Sequence, residues 1–120
     1  MKSEKNQNVS TKKVNILDKI TKRSDYIRAS TGSNKRTSSL HLQKFKREDE
    51  GSPRYGVTAT KKVGIAVDRN KAKRRLRHAI KEVLPKLGKN GYDYVVVATK
   101  NTNTLPWEVI KSDLEKAFKE

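Results

Sequence analysis

The chain has 120 residues, 32% apolar and 35% charged, and its 29 Lys and Arg against 13 Asp and Glu give a formal net charge of +16. That allows one small domain with a modest core, and self-repulsion at this charge favours a polyanionic partner, nucleic acid first. Cysteine is absent, which removes disulfides, zinc–thiolate sites and thiol catalysis and fits a reducing cytosol. No apolar run is long enough to span a bilayer.

Met1 to Lys13 is polar, rich in Lys, Asn and Ser, and lacks the apolar centre of a secretory signal. Residues 1–16 read as a disordered basic leader and residues 17–120 as one domain. Thr21 is a candidate N-cap for a short helix through about Ala29, with Ile20, Tyr26 and Ile27 supplying its apolar side. Thr31 to Ser39 reads as a loop or a poorly packed edge. Leu40 and Leu42 alternate with polar neighbours, the pattern of a half-buried strand. Lys46 to Pro53 ends in Gly51-Ser52-Pro53, a hairpin loop signal. Tyr55, Val57 and Ala59 mark a second strand.

The next element is a helix ending near Leu84, before Pro85. Ala72, Leu76, Ala79, Ile80 and Val83 form one stripe, while Asn70, Arg74, Arg77, His78 and Lys81 point away from it. Arg69 and Lys73 project nearer the stripe, at the sheet edge. Either Asp68 caps this helix or Ile65 to Val67 already belong to it. Lys86 to Gly91 is a turn, and Tyr94 to Ala98 is a continuous apolar run, a central buried strand. Pro106 suits a helix start, and Trp107, Ile110, Leu114, Ala117 and Phe118 follow at helical spacing. Trp107 and Phe118 are assigned to the core. The strands before residue 61 and after residue 91 are joined through a helix, the connection used between parallel strands.

The positive charge is concentrated. Residues 61–77 hold Lys61, Lys62, Arg69, Lys71, Lys73, Arg74, Arg75 and Arg77 against one acid, Asp68, an electrostatic footprint for nucleic acid. An ordinary solvated face carries both signs mixed. Arg makes bidentate, charge-assisted bonds to phosphate, and Asn70 shares the outer face.

The segment Lys61-Lys62-Val63-Gly64, then Ala66-Val67, then Arg69-Asn70-Lys71-Ala72-Lys73-Arg74-Arg75-Leu76-Arg77 resembles the signature of the bacterial ribonuclease P protein family. Lys22-Arg23-Ser24-Asp25-Tyr26 is similar to that family's N-terminal helix motif, and Gly56 to Thr60 to the strand feeding the signature. Asp93 to Val97 and the helix from Trp107 to Phe118 fall where the family has its last strand and helix. The resemblance implies an α+β fold, a two-layer α–β sandwich with a small mixed sheet and a left-handed crossover through the basic helix. It implies a cytoplasmic, single-domain RNA-binding subunit of an endoribonuclease, in which a separate RNA hydrolyses the phosphodiester with magnesium ions. The implied partners are the ribonuclease P RNA and precursor tRNA, with no membrane or DNA partner.

For the catalytic RNA the candidate contacts are Lys61, Lys62, Arg69, Asn70, Lys71, Lys73, Arg74, Arg75 and Arg77. For the single-stranded 5′ leader they are Tyr26, Lys73 and Arg77, since a base stacks on an aromatic ring whatever its sequence. A core role for Tyr26 is the plain alternative. Several positions depart from the family pattern: Tyr26 replaces its usual Phe, Ser30 and Gln43 stand where members carry aromatics, and Ile65 stands where Asn is frequent.

Catalysis by the chain itself finds no support. His41 and His78 lie on different elements without an acidic neighbour in sequence, and Glu48-Asp49-Glu50 reads as an exposed loop. No catalytic or metal-binding residue is assigned. A structural RNA-binding protein, ribosomal or an assembly factor, is the main alternative. A DNA repressor reading suffers because strands flank the basic helix, unlike a helix-turn-helix.

Overall fold

The computed structural model describes residues 18–119; the expected leader, residues 1–16, lies outside them. The elements in order are β1 (Asp18–Lys19), α1 (Arg23–Ser30), β2 (Ser33–Arg36), β3 (Leu40–Lys46), β4 (Arg54–Thr58), a 3₁₀ turn (Lys61–Val63), α2 (Ala66–Leu87), β5 (Tyr92–Ala98) and α3 (Trp107–Lys119). The strands form one mixed sheet in the order β1-β4-β5-β3-β2. β4 runs parallel to β1 and β5, whereas β3 is antiparallel to β5 and β2. The α+β fold expected from the sequence is the fold observed.

β5 is central because only it is apolar on both sides. Its Tyr94, Val96 and Ala98 face α2 and α3, packed with Leu40, Leu42, Leu76, Ile80, Ile110 and Leu114 in the main core. Its Val95 faces the other way, into a small cluster with Ile20 and Ala29 beneath α1. Two helices thus cover one sheet face, and the short α1 covers part of the other.

The apolar stripe expected on α2, Ala72, Leu76, Ala79, Ile80 and Val83, is buried throughout. The helix does not stop at Leu84. It runs through Pro85 to Leu87, and the Gly88 N–H donates to the Leu84 carbonyl at 2.7 Å. Packing of Leu84 and Leu87 on the core outweighs the one amide that proline lacks. At the other end Ile65 is the N-cap, and the Asp68 carboxylate accepts from the Ile65 N–H at 3.2 Å.

Three further expectations change. Lys22, not Thr21, caps α1, with no side-chain hydrogen bond, and Ile27 is 55% exposed. Of the two readings of Thr31 to Ser39, the poorly packed edge holds, as the edge strand β2. Residues 47–53 are not a hairpin turn, because β5 lies between β3 and β4.

Two arginines flanking those residues bind across the sheet. Asp93 on β5 is fully buried; its Oδ1 accepts from Arg47 Nη1 and Arg54 Nε, both at 2.8 Å, and its Oδ2 from Arg54 Nη2 at 2.7 Å. Burial alone would raise the Asp93 pKa, but the hydrogen bonds and charges of Arg54 and Arg47 outweigh it and hold the carboxyl below its usual range. Asp49, bonded by Arg47 and by the Gly51 N–H, is pulled down to about 2.

Asp93 therefore stabilises the fold fully above its unfolded pKa, about 4, and loses that contribution as pH falls through the lower folded value. Urea unfolding midpoints are expected to drop as pH falls below about 4. Asp93→Asn is expected to cost about 3 kcal/mol at neutral pH, since it leaves buried guanidinium charge uncompensated. The variant should also show a shallower acid limb.

Candidate nucleic-acid interface

The basic segment is held rigid by its own short-range bonds. The Thr60 hydroxyl accepts from the Lys62 N–H at 3.3 Å and starts the 3₁₀ turn that displays Lys61 and Lys62. Gly64 follows at φ 144°, and a Cβ there would lie 2.4 Å from Asp68 Oδ2, so glycine alone fits this junction. Arg69 Nη1 donates back to the Gly64 carbonyl at 2.9 Å. The Asn103 amide donates to the Asp68 carbonyl at 2.9 Å, pinning the first turn of α2 to the loop before α3.

From this base the candidate side chains separate into three groups. Lys61, Lys62, Asn70, Lys71 and Arg74 are exposed, the last three on the outer face of α2, where they form a ridge. Asp68, the one acid of residues 61–77, is directed at the Ile65 N–H. Arg69 is half-buried against the 3₁₀ turn.

Arg75 stands apart. Its Nη1 donates to the Thr102 carbonyl at 2.5 Å and its Nη2 to the Leu105 carbonyl at 2.9 Å. Thr102 is itself buried and donates to Ser39 at 2.6 Å. Arg75 thus fastens α2 to the loop before α3. Helical spacing separates Arg75 from the outer face that holds Arg74, but its role as an anchor depends on a loop 27 residues away.

The third group lines a cavity of about 200 Å³ at the sheet edge, where Lys73 and Arg77 of α2 meet Tyr26 of α1 across Lys19, Ile20, Tyr55, Gly56 and Val57. The three residues expected to meet the leader are therefore brought together. Arg77, expected on the outer face, is half-buried here. Burial pushes the Tyr55 phenol up, and the nearby charge of Arg77 opposes that. Gly56 makes the arrangement possible: a Cβ at this position would lie 2.6 Å from the Tyr26 ring. The place of Gly56 in the strand is legible in the sequence, whereas this contact, which depends on where α1 packs on the sheet, is not. Gln43 is half-buried, while Ser30 is exposed at the end of α1 and donates to the Ile27 carbonyl at 2.6 Å.

The two histidines do not meet. His41 lies on β3, its pKa lowered by burial and then by Arg36. His78 lies on α2, 3.6 Å from Glu82 and 4.9 Å from the Trp107 ring centroid. Glu82 is an acidic neighbour that the sequence reading overlooked. Among the described residues no group of three His, Cys, Asp or Glu side chains is arranged to hold a metal ion. No helix among them is long and apolar enough to cross a membrane.

Fold and site together define a class: a small α+β protein whose basic helix presents an exposed cationic ridge beside an aromatic-floored cavity. The family model "Ribonuclease P" matches residues 15–120. The ribonuclease P protein component of Ruegeria pomeroyi is 41% identical over 104 residues, 83% of this chain and 82% of that one. That of Caulobacter vibrioides is 38% identical over 103 residues, 85% of this chain and 69% of that one. The solved RNase P protein of Staphylococcus aureus superposes with a TM-score of 0.71 at 25% identity, covering 87% of this chain and 94% of that one. The Thermotoga maritima RNase P protein shares the fold, with a TM-score of 0.66 at 20% identity over 81% of this chain and 90% of that one. The chain belongs to the ribonuclease P protein family.

The division between ridge and anchor can be measured. Arg75→Ala is expected to destabilise by about 2 kcal/mol, the scale of charged hydrogen bonds to buried carbonyls, and to lower the thermal midpoint. Arg74→Ala should leave that midpoint unchanged in the same circular-dichroism melt.

Proposed function

We propose that residues 17–120 form one RNA-binding unit that uses its two cationic surfaces for different RNAs. The outer ridge, Lys61, Lys62, Asn70, Lys71 and Arg74, with Arg69 at its base, binds the ribonuclease P RNA through phosphates. The cavity of Tyr26, Lys73 and Arg77 binds the single-stranded 5′ leader of precursor tRNA. Lys73 lies between the two and serves both. The hydrolysis belongs to the RNA partner with its magnesium ions. The protein holds the leader and screens phosphate repulsion, so that the RNA complex works at lower magnesium. The setting is cytoplasmic, and DNA is not a partner.

One observation carries this reading. The aromatic ring and two cations of the leader site converge from separate elements, beside a ridge of like charge and on a glycine that admits the ring. A ring offers stacking to any base, and two cations offer phosphate neutralisation, which suits leaders of varied sequence. Tyr26 packs in part against the cluster of Ile20, Ala29 and Val95, but its half-buried ring also lines the open cavity, where a base can reach it.

The deciding experiment is cleavage of precursor tRNA by a ribonuclease P RNA at low magnesium, with and without the protein. Stimulation is expected; its absence would favour a purely structural RNA-binding role. Lys71→Ala with Arg74→Ala should weaken RNA binding and flatten the slope of log K against log salt by roughly 1.5, as two phosphate contacts are lost. An unchanged slope removes the ridge from the interface. Gly56→Ala should displace the Tyr26 ring and, like Tyr26→Ala, weaken binding of precursor tRNA more than of mature tRNA. Equal losses for both tRNAs would move the leader elsewhere.

A further inference from the structure

α1 is attached to the sheet by little apolar surface. Among the described residues the buried apolar side chains beneath it are Ile20, Ala29 and Val95, with Tyr26, Phe45 and Val97 partly buried. Eight residues carry α1, and no side chain caps its first turn. Such a helix is free to roll on its contact unless something directional stops it, because apolar contact does not fix orientation.

A line of alternating charges supplies the direction. Asp93, buried in β5, grips the Arg54 guanidinium with both oxygens, at 2.8 and 2.7 Å. Arg54 Nη2 in turn lies 3.6 Å from Asp25 Oδ2. Asp25 Oδ1 accepts from Arg28 Nη2 at 2.6 Å, and the Arg28 guanidinium sits 5.3 Å from the centre of the Phe45 ring. Asp25 is only 8% exposed although it belongs to an otherwise exposed polar turn. Sheet and helix are thus tied through Asp93, Arg54, Asp25 and Arg28.

The tie is placed where it acts on the cavity. Asp25 precedes Tyr26 in α1. Arg54 stands two residues before Gly56 in β4, so it lies on the same sheet face as the glycine that the ring approaches. We infer that Asp25 is a positioning residue for leader recognition: its ion pair with Arg54 fixes the roll of α1 and holds the Tyr26 ring over Gly56. This rests on the leader reading above. A clamp that only stabilised the domain would affect precursor and mature tRNA alike.

The test uses the full chain assembled with a ribonuclease P RNA, comparing affinity for precursor and mature tRNA. Asp25→Asn keeps the side chain's size and removes its charge. It is expected to lower the preference for precursor by roughly three- to tenfold, the range of one coupled pair, with affinity for the RNA subunit unchanged. In a Tyr26→Ala background the same substitution should have no further effect. If the two losses add independently, or if Asp25→Asn alone leaves the preference intact, the positioning role is overturned. Should Tyr26→Ala itself leave the preference intact, the leader reading fails first and this inference falls with it. Arg54→Lys, which keeps a cation beside Asp93 but loses the fork, carries the same test if Asp25→Asn is unfolded at the assay temperature. The same loss, again absent without Tyr26, is expected there.

Discussion

Burial of one apolar stripe holds the protein's cationic surface in place. Ala72, Leu76, Ala79, Ile80, Val83 and Leu84 are almost wholly withdrawn from solvent under α2. Without that contact a helix carrying Lys71, Lys73, Arg74, Arg75 and Arg77 would have every electrostatic reason to leave the domain. Burial of these side chains, each favouring the packed state by about 1.5–3 kcal/mol for the larger ones, fixes the helix axis. The ridge then follows from helical geometry, since residues three and four apart share a face. Arg75 completes the anchoring from the flank by binding the loop before α3.

The sheet meets a second constraint, a carboxylate in its interior. Asp93 is tolerable there only because Arg47 and Arg54 reach it from either end of residues 47–54. The cluster joins β3, β4 and β5 at the end of the sheet where α1 lies. The acidic Glu48-Asp49-Glu50 stretch, which looks like an exposed loop, contributes Asp49 to the same network. Charge that a composition count treats as surplus is here partly internal structure.

What the sequence disclosed follows from the range of the forces involved. Periodicity reports local burial, so the α2 stripe, the Val-rich central strand and the spacing of Trp107 to Phe118 were all legible. The strand β2 showed only as one of two readings, a loop or a poorly packed edge, because Ser33 to Arg36 has no apolar alternation and forms by backbone pairing with β3. The separation of β3 from β4 by β5 was invisible for a similar reason: a Gly-Ser-Pro turn looks the same whether or not its flanking strands pair. The same limit applies to the site. The cationic run was plain, but its division into Arg74 on the ridge, Arg75 in the anchor and Arg77 in the cavity depends on loops and strands distant in sequence. Gly56 carried no local sign that a tyrosine ring would lie against it.

The rims of the sheet have a consequence of their own. Among the described residues one rim is β1, only two residues long, and the other is β2, whose four residues include Lys35 and Arg36. Such short rims, one of them carrying Lys35 and Arg36, are poor templates for intermolecular strand pairing. The sheet is thereby guarded against strand-to-strand self-association, with Lys35 and Arg36 acting as gatekeepers on the β2 rim.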